Sequence, residues 1–150
     1  MKNALLIAGV IVVAIFGVRL LVPPQPMDAP TQDERTNAVF ATPSKSAHWV
    51  STTPQHASTF AAVPINVVVD VDFDLAPPSQ ISIRKDNKDY GVGWTNIDKN
   101  KLAMRRDMDP STPNGIYTVT YKACWPDGSC HDGSFQFAID RRLADEFEDH

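Results

Sequence analysis

Between Tyr117 and Ile139 two alternating apolar runs flank a short polar loop, Cys124-Trp125-Pro126-Asp127-Gly128-Ser129-Cys130-His131. Tyr117, Val119, Tyr121 and Ala123 fall on one face of the first run, and Phe135, Phe137 and Ile139 on one face of the second. Period two on both sides of an Asp-Gly turn predicts a β-hairpin, because Gly supplies the left-handed backbone that such a tight turn requires. The loop also gathers a carboxylate, two thiols and an imidazole. Fold signal and metal-capable chemistry therefore coincide at one place in the chain.

The same texture extends upstream. In Ile65–Phe73 the residues Ile65, Val67, Val69, Val71 and Phe73 share one face, while Asn66, Asp70 and Asp72 share the other, which predicts a strand with one buried side. Further strands are expected at His48–Thr52, Gln80–Lys85, Tyr90–Ile97, Lys101–Arg105, Ile116–Trp125 and Gly133–Arg141. Short strands separated by turn residues every eight to twelve positions or so predict an all-β antiparallel sandwich with a single core. Seven such strands are expected. Helix has a place only in the acidic tail, over Leu143–Glu148.

The amino-terminal region reads differently. Ala4–Val22 is apolar apart from Arg19, and at about 1.5 Å per residue a helix of that length covers roughly the hydrocarbon thickness of a bilayer. Pro23, Pro24 and Pro26 follow, with no Ala-x-Ala cleavage pattern, so an uncleaved anchor is expected rather than a signal peptide. Lys2 precedes the run and Asp28, Asp33 and Glu34 follow it, which puts the amino terminus in the cytoplasm and the remainder outside, on the periplasmic face of the inner or plasma membrane. The expected division is 1–22 anchor, 23–45 proline-rich linker, 46–141 sandwich and 142–150 acidic tail. With Lys2 and Arg19 set aside from the 14 basic residues, 12 remain against 18 acidic ones. An exported part of that sign disfavours nucleic acid and favours cations as partners.

The run His48-Trp49-Val50-Ser51-Thr52-Thr53-Pro54, a strand of the Ile65–Phe73 type, and Gly115-Ile116-Tyr117-Thr118-Val119 leading through Asp127-Gly128 to Gly133-Ser134-Phe135-Gln136-Phe137 resemble the CopC-like periplasmic copper-binding proteins. The likeness covers about His48 to Asp140. It implies a seven-stranded Greek-key β-sandwich or barrel, immunoglobulin-like in outline, that binds copper and serves copper tolerance, homeostasis or delivery. Members of that family open the mature chain with a chelating histidine, often as His-Ala-His; His48 matches the second of those histidines and Ser46 stands at the first. The family's Asp-x-His loop motif is matched by Asp127, with Ser129 at the histidine position.

His131 lies two residues beyond Ser129, on the same side of an extended chain. The ligand set implied by the resemblance is thus His48, Asp127 and His131, an N2O set suited to copper(II), with zinc also acceptable. Outside the cytoplasm Cys124 and Cys130 are expected to form a disulfide clamping the loop; the alternative is a thiolate copper(I) site with His131. Trp125, expected at the loop tip, is the residue through which a membrane-protein partner could dock if its indole is exposed. Two functional readings follow: a membrane-tethered copper-binding module, or a sandwich that has lost its metal site and serves as an interaction module of a membrane-associated complex. No Ser-His-Asp spacing and no phosphate-cradling glycine loop is present, so no enzymatic activity is expected.

Overall fold

The computed structural model describes residues 39–146. Nine strands form along them: β1 (Trp49–Thr53), β2 (Thr59–Phe60), β3 (Asn66–Val71), β4 (Gln80–Lys85), β5 (Lys88–Asp89), β6 (Gly91–Ile97), β7 (Ala103–Met108), β8 (Gly115–Cys124) and β9 (Cys130–Ile139). The expected hairpin is β8–β9, antiparallel in unbroken register from Gly115↔Ile139 to Cys124↔Cys130. Seven of the nine correspond to the strands expected from the sequence. The other two are additional, and each is only two residues long, too short to carry a periodicity. β5 exists because Asp86 and Asn87 both take positive φ, 51° and 64°, and so reverse the chain in a tight hairpin turn. β2 adds a parallel rung beside the end of β9.

The strands form two sheets, ordered β1-β3-β7-β6 and β2-β9-β8-β4-β5. Their inward faces meet in one apolar cluster, with Val67, Val69 and Val71 from β3, Ile81 and Ile83 from β4, and Met104 and Met108 from β7. The alternating face of the hairpin completes it: Tyr117, Val119, Tyr121 and Ala123 against Phe135, Phe137 and Ile139. Tyr117 stacks on Phe137 with ring centroids 5.7 Å apart and meets Tyr90 edge-on at 5.4 Å. Its hydroxyl donates to the carbonyl of Pro113. A buried phenol is tolerated in an apolar core only when it has such an acceptor.

Two residues expected in the core are outside it. Ile65 is 84% exposed and Phe73 48%, because β3 pairs only over Asn66–Val71 and the chain leaves the sheet at both ends. The folded unit also begins earlier than position 46. Ser44 exchanges backbone hydrogen bonds with Ser134 at 2.9 and 2.8 Å, the Ala41 N–H donates to Gln136 Oε1 at 2.6 Å, and the Ser46 N–H donates to the Tyr121 hydroxyl at 3.1 Å. Residues 41–46 thus form a strap along the part of β9 that β2 leaves open. At the other end a single turn of helix, α1 (Arg142–Asp145), follows β9. The apolar segment 1–22 and the linker as far as residue 38 lie outside the described residues. Among the described residues no helix is long and apolar enough to cross a membrane.

Candidate functional site

Two of the three predicted ligands, His48 and His131, gather around one indole at the end of the sandwich where the β8–β9 loop turns. Trp125 continues the inward-facing series of β8 by one more step, so its ring closes the end of the core and is only 5% exposed. This corrects the expectation of an exposed indole at the loop tip: the tip is Pro126–Ser129, and Trp125 lies beneath it. A buried tryptophan offers no docking surface. Its Nε1 hydrogen finds no acceptor among the described residues, a circumstance that costs about 1–3 kcal/mol for a buried donor.

His48 approaches this indole edge-on, with centroids 5.1 Å apart, and stacks on Phe73 at 4.9 Å and 26°. The pairing of Trp49 with Val71 sets His48 opposite Asp72, and the Asp72 N–H donates to the His48 carbonyl at 2.9 Å. On the side-chain level His48 Nδ1 lies 2.9 Å from Asp72 Oδ1. A carboxylate on one ring nitrogen fixes both the tautomer and the ring plane, leaving Nε2 as the available lone pair. His48 itself adopts φ 58°, a left-handed conformation that turns its ring away from the line of β1 and onto Trp125.

His131 also lies beside this indole, its ring 6.4 Å from that of Trp125 and tilted by 44°. It pairs across the hairpin with Ala123, whose methyl is buried in the core. His131 therefore belongs to the inward series of β9 and emerges where the core ends. Cys130, one residue earlier, faces the opposite side of the sheet and is bonded to Cys124. The disulfide expectation holds, and the alternative thiolate site with His131 does not, since the sulfurs are oxidised and lie on the other face.

Asp127 is held in the loop. Its Oδ1 accepts from the Ser129 N–H at 2.9 Å and from the Ser129 hydroxyl at 2.6 Å, while Gly128 takes φ 87° and donates to the Trp125 carbonyl at 3.0 Å. The Ser129 hydroxyl and N–H, with a smaller contribution from the charge of His131, hold this carboxyl below the usual carboxylate range. It is fully ionised at neutral pH. Ser129 thus engages one oxygen of a carboxylate that is exposed to solvent. Among the described residues no three His, Cys, Asp or Glu side chains stand close enough together to hold one metal ion. The structure brings His48 and His131 to a common indole, and leaves Asp127 in the exposed loop with its Oδ1 hydrogen-bonded to Ser129.

Sequence reasoning missed Asp72 and Phe73 as neighbours of His48. The signal was present in Asp72, the last acid on the polar face of the Ile65–Phe73 pattern, but only the β1–β3 register reveals what it opposes. His56, assigned no role, accepts the Gln136 N–H at its Nδ1, 3.1 Å away, and meets Phe40 edge-on at 6.0 Å.

Comparison with known proteins places this geometry in context. The family model described as the CopC domain matches residues 49–140. Among solved structures, CopC from Methylosinus trichosporium OB3b is similar with a TM-score of 0.56 and 24% identity, over 64% of this chain and 94% of that one. Two structures of PcoC, a copper resistance protein from Escherichia coli, are similar with TM-scores of 0.52 and 0.51 at 17% and 19% identity. They cover 61% and 67% of this chain and 98% and 100% of PcoC. At these identities the likeness speaks to the fold. No curated protein matches the sequence.

Proposed function

Since this chain belongs to the CopC domain family, we propose that it is an exported copper-binding protein of copper homeostasis, tolerance or delivery, tethered at the outer side of the membrane by residues 4–22. The observation that carries the reading is that His48 and His131, distant in sequence, both lie against the ring of Trp125. Two imidazoles at the open end of the sandwich, one of them oriented by Asp72, form the nitrogen part of a copper(II) site; zinc has the same ligand preference in this respect. Asp127 supplies the oxygen ligand once the loop brings it toward the histidines, and water fills the remaining positions. Affinity is modest on this reading, because the loop must reorganise and Ser46 and Ser129 stand where the family's other histidines would be. The role is binding and transfer rather than catalysis.

The test is isothermal titration of copper(II) into the full chain and into the double variant His48→Ala/His131→Ala. Stoichiometric binding by the first and none by the second supports the site, and identical isotherms dismiss it. A second reading, a sandwich without a metal site that docks to a membrane-associated partner, is favoured by the absence of a ready three-ligand cluster among the described residues. It predicts only weak, non-stoichiometric copper uptake by the unaltered chain.

A further inference from the structure

Trp94 is 90% exposed, which is unusual for the residue with the largest apolar surface to hide. It does not sit on a loose loop. Gly93, at φ 68°, breaks the pairing of β6 with β7 between Val92 and Asn96 and lifts the indole off the sheet. The lifted backbone is held at three points. Arg106 Nε donates to the Gly93 carbonyl at 3.1 Å, Asn96 Nδ2 to the Trp94 carbonyl at 3.4 Å, and the Ile81 N–H to Thr95 Oγ1 at 2.9 Å. The fold presents this indole to solvent on a fixed mount.

Below Trp94 runs a trough of about 1500 Å³. Its floor is the outer face of β4, β8 and β9, one wall is the lifted part of β6, and the other is the strap at Ser44, bridged to Ser134. Outward side chains on a strand recur about every 7 Å, so the floor is a grid of polar groups, among them Ser82, Thr120 and Ser134. Hydroxyls both donate and accept hydrogen bonds. Three cations and two carboxylates line the trough: Arg106 Nη1 donates to Asp89 at 2.8 Å, Lys122 stands across the hairpin from Asp132, and Arg84 donates to the Asn87 carbonyl at 3.3 Å, so the excess is a single positive charge.

An open trough with an aromatic platform at its rim, a hydroxyl-rich floor and little net charge fits a ligand that is itself rich in hydroxyls, uncharged, and apolar on the faces of its rings. We propose that this trough binds an uncharged polysaccharide chain, with the C–H face of one sugar ring stacked on Trp94 and its hydroxyls paired to the floor. The site lies on the outer face of the five-stranded sheet, whereas His48, Trp125 and His131 lie at the end of the core, so the proposal does not rest on the copper reading.

The experiment titrates cellohexaose and chitohexaose into the full chain by calorimetry, with tryptophan fluorescence as a second readout, and measures co-sedimentation with cellulose and chitin. Binding to at least one of these is expected, accompanied by a change in emission from the exposed indole. Trp94→Ala should weaken it about tenfold or more, and Thr120→Lys, which fills the floor without touching Trp94, should also weaken it. Copper titration should be the same for both variants as for the parent. No binding to any of these glycans overturns the proposal, as does equal binding by Trp94→Ala. So does binding confined to the polyanion heparin, which would mark the trough as a cation patch.

Discussion

His48 Nδ1 lies 2.9 Å from the carboxylate of Asp72, a residue that β1–β3 pairing sets directly opposite it. Both side chains are substantially exposed, so the pair contributes little to stability; its consequence is the orientation of a ring. Asp72→Ala should lower copper(II) affinity by about 10- to 100-fold while leaving the unfolding midpoint nearly unchanged. Titration calorimetry paired with urea denaturation separates the two effects, and unaltered affinity would deny Asp72 its orienting role.

Ser129, at the position where the resemblance to the Asp-x-His motif implies a histidine, engages Oδ1 of Asp127 through two hydrogen bonds. Ser129→His removes the hydroxyl donor and adds an imidazole beside His131. Copper(II) affinity should rise by at least about tenfold. Electron paramagnetic resonance of the copper(II) complex should then show an additional nitrogen ligand; an unchanged spectrum would place copper elsewhere.

The disulfide between Cys124 and Cys130 closes the loop that carries Asp127 and precedes His131. By the chain-entropy model so short a loop yields about 2 kcal/mol. Replacing both cysteines by serine should lower stability by about that amount and raise hydrogen exchange in residues 126–131. Thiol labelling of unreduced protein should find neither cysteine reactive, and labelling of both would contradict the bond.

Burial of Tyr117, reinforced by the neighbouring Tyr90, pushes its phenol up from 10.0 to about 12. A folded value above the unfolded one means the unfolded chain loses its proton first as pH rises. The stabilisation is fully present below the unfolded value near 10 and is lost as pH rises toward 12. Unfolding followed between those limits should show falling stability in the parent, and a flatter profile in Tyr117→Phe.

Asp98 behaves in the opposite sense. The Arg105 guanidinium donates to it at 2.8 and 2.5 Å and holds its carboxyl below the usual value. Stability from this pair is present above the unfolded carboxylate value and is lost as pH falls through the folded one. The carboxylate is partly exposed, so the contribution is screened and small. Asp98→Asn should reduce the acid sensitivity of the unfolding midpoint, and an unchanged acid limb would show that other carboxylates govern it.

The amino-acid order alone determined the local elements. The alternations Val67-Val69-Val71, Tyr117-Val119-Tyr121-Ala123 and Phe135-Phe137-Ile139 locate three strands and their buried faces, because side chains on a strand alternate sides whatever the strand pairs with. Asp127-Gly128 marks the turn, and two cysteines at the two ends of one short loop in a chain read as exported point to their pairing. Tertiary structure decided everything that depends on which strand lies beside which. Only the β1–β3 register places Asp72 on His48, only the two-sheet core makes Trp125 a buried lid rather than an exposed tip, and only the lift at Gly93 leaves Trp94 in solvent. Burial and ligand convergence are properties of residues distant in sequence, and a periodicity carries no information about its partner.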